Sequence, residues 1–294
     1  MAVVLALVAA LLFAFGTVLL QKAGLDEPTT GSDSGLLLRM ARRPVWLAGI
    51  FADALGFAAQ AVALSIGRLA VVQPLLVSAV VFALPLGARL TGQRVRPIDI
   101  GAAVLVTGAL IAFLTIADPS GGRDDAPFAE WLVAGAVIGV ITAPLVLVSR
   151  RLEPAAKAAL LGTAAGILFG LTAALTKACA DRLGDGLLEL LVDWRVYALV
   201  VIGYIGMTLN QLALGTGALA AAAATSMAFD PIASVVLGVT LLSESLHETP
   251  VGIIATVASL AAALAGMAIL ARSQPASAAA KPGAGAAVGR AAPD

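Results

Sequence analysis

An all-α protein that crosses a membrane about nine times, in two inverted repeats joined by a connecting helix, is the fold class this sequence predicts. Three observations carry it. Hydrophobic residues make up 60% of the 294 and charged residues 12%, against about 25% charge in a soluble domain. Nine apolar stretches reach the roughly 20 residues that a spanning helix needs. A block in the second of them recurs in the seventh.

The stretches are 2–22, 45–66, 69–90, 98–117, 129–149, 157–178, 195–215, 218–243 and 250–271. Residues 2–20 have no Lys or Arg ahead of them and exceed a signal-peptide core, so they read as a retained span. Trp46, Trp131 and Trp194 each open a span, at the depth where indoles gather. The recurring block aligns Gly56, Gln60, Ala63-Leu64 and Gly67 with Gly206, Asn210, Ala213-Leu214 and Gly217, without a gap. Leu12-Phe13 leading to Lys22 is echoed by Leu168-Phe169 leading to Lys177. The chain therefore divides into a first repeat at 1–117, an outer loop and connector helix at 118–156, a second repeat at 157–271 and a disordered tail at 272–294. One odd connector inverts the second repeat relative to the first, an arrangement common in secondary transporters.

Basic residues set the orientation. Lys22, Arg39, Arg42 and Arg43, then Arg89, Arg94 and Arg96, then Arg150, Arg151 and Lys157, and finally Arg272, Lys281 and Arg290 fall on one side. The other side holds Arg68, Arg123, Lys177, Arg182 and Arg195, with Asp118, Asp124, Asp125 and Glu130 among them. The positive-inside rule then places the N-terminus outside and the C-terminus in the cytosol of a multi-pass plasma-membrane protein. The outer loop 118–127 is polar, turn-forming and expected to be mobile. Residues 34–43 and 183–193 are amphipathic and expected to lie along the interface.

The charges inside the spans carry the functional reading. Asp230 stands in an apolar run, where a carboxylate costs roughly 3 kcal/mol, and intramembrane acids mark ion and substrate pathways. Pro231 follows it, and Pro74 lies in the third span; both are candidate helix breaks. Asp53 is at a depth similar to Asp230, roughly 12 Å against 18 Å from the same side at 1.5 Å per residue. Gln60 and Asn210 hold equivalent repeat positions and suit either substrate contact or helix bridging. Thr208, Thr225, Ser226 and Ser234 could line the same cavity or bond their own backbone. Lys22 and Lys177 end equivalent helices and read as snorkelling lysines or anion contacts. Glu244 reads as a solvated helix end or a gate, with Gln93 its counterpart in the first repeat. Gly162, Gly166 and Gly170 form a smooth stripe suited to close helix packing. The lone His247 reads as incidental.

Asp230-Pro231 followed thirteen residues later by Glu244 resembles the drug/metabolite transporter superfamily. The nine-span layout is similar, more narrowly, to NIPA-type magnesium transporters. The similar stretches are Val18-Leu-Leu-Gln-Lys22-Ala-Gly-Leu25, Trp46-Leu-Ala-Gly49 on to Ala58-Ala59-Gln60, and Val71-Val-Gln-Pro74-Leu75. The resemblance covers 2–271. It implies a secondary transporter with its site between the repeats and Mg²⁺ as substrate, held by Asp53 and Asp230 with retained waters. The chain departs from that pattern at Phe57, where an acidic residue belongs; Asp53 stands one turn earlier. Proton-coupled export of a small metabolite or drug is the alternative within the class, and a non-transporting scaffold the alternative outside it. No catalytic or nucleotide-cradling motif is present, so neither an enzyme nor a cofactor is expected. Net charge is zero, giving no reason to expect nucleic acid. The expected partners are the lipid bilayer, a small-molecule or divalent-cation substrate, and a second copy of the chain if it self-associates.

Overall fold

The computed structural model describes residues 1–25, 43–92, 95–183, 186–246 and 249–273. It is all-α apart from one two-residue strand pair, and among the described residues nine helical segments are long and apolar enough to cross a membrane. In chain order the helices are α1 (Ala2–Leu25), α2 (Pro44–Ile66), α3 (Leu69–Leu76), α4 (Ser78–Leu90), α5 (Pro97–Ala117), α6 (Phe128–Ser149), α7 (Pro154–Arg182), α8 (Leu187–Val192), α9 (Trp194–Leu214), α10 (Leu219–Thr240) and α11 (Pro250–Ser273). Strand β1 (Ser120–Gly121) pairs antiparallel with β2 (Glu244–Ser245). The expectations for Gln93, His247, residues 34–42 and residues 274–294 fall outside the described residues.

Helix α7 is the axis of the molecule. It packs on α10, α9, α6 and α2, and 67% of its apolar window is buried, the largest share of any span. The glycine stripe explains how it gets so close to α10. A Cβ at Gly162 would collide with Thr225 Oγ1, one at Gly166 would lie 2.5 Å from the Ser226 carbonyl oxygen, and one at Gly170 would lie 2.6 Å from Ala233 Cβ. Small residues let backbones approach where lipid supplies no hydrophobic drive between helices.

The first helix of each half meets the second through the same contact. A Cβ on Gly56 would lie 2.9 Å from the Phe13 ring, and one on Gly206 would lie 3.1 Å from the Phe169 ring. One turn away the partners exchange size. The first half places Asp53 on α2 against Gly16 on α1, and the second places Thr172 on α7 against Gly203 on α9. Helices α5 and α11 form a separate pair around Val106, Leu110, Ala263, Met267 and Leu270.

Three expectations need correction. Pro231 does not break its helix: α10 runs unbroken from Leu219 to Thr240. Proline deletes one donor, the bond to the Met227 carbonyl, and the α7 glycines hold the helix on both sides of the gap. Pro74 does not break its span either: the hydrogen bonding shifts by one residue where Val77 N bonds Pro74 O, but Val77 keeps helical backbone angles and α3 (to Leu76) runs on into α4 (from Ser78). Loop 118–127 is not a free loop. It contributes β1, accepts a bond from Arg68 Nε at Gly121 O (2.9 Å), and sends the Arg123 guanidinium to Leu241 O (2.8 Å). Its polar residues serve paired backbone groups at this end of the bundle rather than water alone.

Gly166→Ala is expected to lower stability by about 1–3 kcal/mol through overpacking. Gly135→Ala, whose Cβ would meet nothing within 4 Å, should stay within about 0.5 kcal/mol of wild type. Thermal unfolding of the detergent-solubilised protein measures both, and equal losses would contradict the packing described.

Candidate functional site

The two intramembrane acids occupy different interfaces. Asp53 on α2 is half-buried against Gly16 of α1, where any side chain would collide with its carboxylate. Asp230 on α10 is half-buried and accepts a long bond, 3.4 Å, from Ser234 Oγ one turn ahead. Its neighbours Thr225 and Ser226 lie on the face of α10 that meets the α7 glycines, and Thr225 Oγ1 donates to the Ala221 carbonyl at 2.9 Å. Gln60 is buried on α2 at 9% exposure, while Asn210 and Lys22 are half-buried. Thr208 is exposed, and its hydroxyl donates to Tyr204 O at 2.7 Å, so it faces away from the interior. The residues expected to share one cavity thus separate into an α1–α2 group, an α7–α10 group, Asn210 on α9 and an outward-facing threonine.

The geometry around Asp230 depends on α3. Gly238 of α10 stands against the start of α3, since a Cβ there would lie 3.4 Å from Ala70 N, and Ala70 clusters with Val235. The two helices run antiparallel from this contact. At about 1.5 Å per residue, Pro74 is level with Ser234, and Ser78 with Asp230. The Val77 turn of the third span therefore stands near the depth of the acid. α3 packs on α10 and α1, whereas α4 packs on α1 and α5.

One residue of this region was not singled out from the sequence. Gln73, next to Pro74, is 3% exposed, and its amide nitrogen has no hydrogen-bond partner. Its sequence signal was an amide beside a proline in an apolar run.

Lys177 and Glu244 come together at one end of the bundle, and neither does what its position suggested. Glu244, expected at a solvated helix end, is 2% exposed. Its carboxylate accepts from Leu69 N at 2.6 Å and from Ala70 N at 2.8 Å, the first amides of α3. Lys177, expected to snorkel, is 4% exposed. Its ammonium donates to Leu64 O (3.1 Å) and Gly67 O (2.9 Å) at the end of α2, and to Asp124 (2.9 Å). The reason is the same for both. Helix ends leave backbone amides and carbonyls without partners, and a carboxylate at an N-terminus or a cation at a C-terminus also matches the helix dipole. The second half of the chain thus holds both sides of the α2–α3 connection in the first half. Gly238 makes room for Glu244, because a Cβ there would lie 2.5 Å from its Oε2.

The rest of this end is equally paired. Arg195 is ion-paired to Asp125 and, at 2.7 Å, to Asp193. Trp131 Nε1 donates to Asp125 at 3.0 Å, and the Trp131 and Trp194 rings meet edge to face at 6.1 Å. Arg123 pairs with Glu130. Burial raises the pKa of Asp193, but the bonds from the Arg195 backbone and side chain outweigh it and hold the carboxyl below its usual range. For Glu244 burial wins and raises the pKa above 4.5, against the Ala70 and Leu69 amides and the Lys177 and Arg68 charges.

Two outcomes are expected. Glu244→Ala strands two buried amides and should cost about 3 kcal/mol, twice the value of one bond to a charged group. An acid whose folded pKa is raised contributes stability below its unfolded value and loses it as pH rises through the folded one. The stability of wild type relative to Glu244→Gln should therefore fall as pH rises from below 4.5, then level off. Thermal midpoints across a pH series measure it, and a flat difference would contradict the burial described.

No protein-family model matches the chain, and no solved structure matches it. A curated Corynebacterium glutamicum protein, described as an uncharacterized protein, is 32% identical over 249 residues, spanning 84% of this chain and 86% of its own length. The chain belongs to the same family as this Corynebacterium glutamicum protein.

Proposed function

We propose that this membrane protein is a secondary transporter of the drug/metabolite transporter type, moving a small solute past Asp230 between its two four-span halves. Asp230, a carboxylate inside a membrane-spanning helix, carries the reading. Intramembrane acids mark ion and substrate pathways, and transporter sites lie near the midplane between repeats. The repeated Phe-on-Gly contact in each half supports a duplicated design.

The paired end supports an opening and closing mouth. Glu244 and Lys177, both in the second half, grip the first half only through backbone groups of the α2–α3 connection. Release of those bonds would part the halves at that end without disturbing the glycine-packed α7–α10 contact. Orientation follows the same logic. Arg68, Arg123, Lys177 and Arg195 are all engaged with carbonyls or carboxylates at this end. That supports placing it outside, with the other basic connections in the cytosol.

Between the two substrate readings, the separation of the acids favours the single-carboxylate one. Asp53 lies against Gly16 of α1 while Asp230 bonds Ser234 on its own helix, so the contacts favour no site sharing both carboxylates around Mg²⁺ in this conformation. A proton-exchanging Asp230 serving a small solute needs no second acid.

Asp230→Asn should abolish flux while leaving the protein inserted, because only the charge is lost. Proteoliposomes carrying internal pH- and Mg²⁺-sensitive dyes provide the measurement. Solute-dependent proton movement that disappears in the variant is the expected result. A dye response to Mg²⁺ alone would move the assignment to magnesium, and wild-type flux in the variant would remove Asp230 from the pathway.

A further inference from the structure

Helices α6 and α10 both pack on α7, and between them runs an open groove of about 880 Å³ with Ile167 of α7 at its floor. One wall is α6 from Ala129 to Ile141; the other is α10 from Leu241 back to Phe229. Arg123 ties the start of α6 to the end of α10, bonding both Glu130 and Leu241 O, so the groove opens at the paired end. Either wall is about 18 Å long at 1.5 Å per residue. That is close to half of a hydrocarbon core about 30 Å thick, the depth one acyl chain occupies. The lining is apolar apart from Glu130 and Thr240 at the mouth. Lipid tails are as apolar as this lining, so the walls alone select no particular molecule. Selection falls to the mouth, where Arg123 is fixed. Its backbone N donates to Leu242 O at 2.7 Å, Nε and Nη2 donate to Leu241 O, and Nη2 pairs with Glu130. Arg123 Nη1 and Glu130 Oε1 carry no hydrogen bond among the described residues, and both side chains are partly exposed. A spare donor on a cation and a spare acceptor on an anion thus stand side by side at the head of an acyl-length groove.

We propose that this groove is a phospholipid site: one acyl chain lies between α6 and α10, and a phosphoethanolamine headgroup sits on the Arg123–Glu130 pair. The phosphate accepts from Arg123 Nη1, a charge-assisted bond that suits a guanidinium. The primary ammonium donates to Glu130 Oε1. The pair is neutral as a whole, so it matches a headgroup that carries both charges. A purely anionic headgroup brings its phosphate against Glu130 with nothing to offset the repulsion, and a quaternary ammonium has no N–H to give the carboxylate. The nearby charges of this end are engaged elsewhere, Asp124 with Lys177 and Asp125 with Arg195. The lipid stands in for a neighbouring helix along α6, whose apolar window is 17% buried. No part of this site depends on transport.

Native mass spectrometry of full-length protein, delipidated in detergent and titrated with phosphatidylethanolamine, phosphatidylcholine or phosphatidylglycerol of the same acyl chains, provides the test. The expected result is one retained phosphatidylethanolamine, bound at least about tenfold more tightly than either other lipid, as one hydrogen bond to a charged group supplies. Glu130→Ala removes the ammonium acceptor and leaves Arg123 unopposed, so the preference should pass to phosphatidylglycerol. Val137→Trp, on the α6 wall, fills the groove and should abolish retention, with Val236→Trp on the α10 wall as the second blocking variant should the first not fold. Val140→Trp, on an exposed position of α6 outside the groove, should retain the lipid as wild type does. Several adducts without headgroup preference, a preference unchanged by Glu130→Ala, or equal retention by the groove-filling variants and Val140→Trp would overturn the site and leave ordinary surrounding lipid. Because no flux enters the measurement, its outcome is independent of the transporter reading.

Discussion

Backbone groups that cannot be left unpaired in a low-dielectric medium govern this structure. Inside a bilayer each helix satisfies itself along its length, so the unmet demand gathers at the ends. Here the α2–α3 connection concentrates it: the last carbonyls of α2 and the first amides of α3 lie within a few residues of each other. Lys177 answers the carbonyls and Glu244 the amides. Both come from the second half of the chain, so satisfying local backbone chemistry also joins the halves. Arg68 and Arg123 extend the arrangement to the β1–β2 pair and to Leu241. A bundle whose spans are largely exposed to lipid owes its closure at this end to a few charged side chains bonded to backbone.

The two prolines show how packing decides what a local rule produces. Each removes one helix bond. Pro231 lies where α10 is seated along the α7 glycines, and the helix continues through it. Pro74 lies on a short helix buried along its length, and the hydrogen bonding shifts at Val77 while the backbone stays helical. The acid and this turn come from different helices and lie at about the same depth.

Much of this architecture was legible in the residues themselves. Apolar run lengths located the nine spans, and the tryptophans at span starts reappear at the paired end, where Trp131 and Trp194 touch. The glycine spacing on α7 anticipated a tight helix contact, and the Gly56–Gly206 alignment corresponds to one recurring Phe-on-Gly contact. The site was less legible, for a physical reason. Periodicity reports which face of a helix is apolar, but not which remote backbone group a charged side chain will meet. Glu244 and Lys177 follow the local rule for span ends in sequence and depart from it in space, because partners 110 and more residues away bury them. Gln73 drew no notice because an amide beside a proline is ordinary in sequence; its lack of a partner exists only once the helices are assembled. Thr208 shows the reverse, a polar residue near a candidate amide that its helix turns outward.

The proposed transport path requires the end closed by Glu244 and Lys177 to open before a solute can reach Asp230. Ser120 and Ser245 are paired residues of β1 and β2 at that end. Paired cysteines at these positions, in a background with Cys179→Ala, allow the mouth to be locked by oxidation and released by reductant. Solute-dependent proton flux in proteoliposomes should stop on oxidation and return on reduction. Flux that continues at full rate with the cross-link formed would contradict the claim.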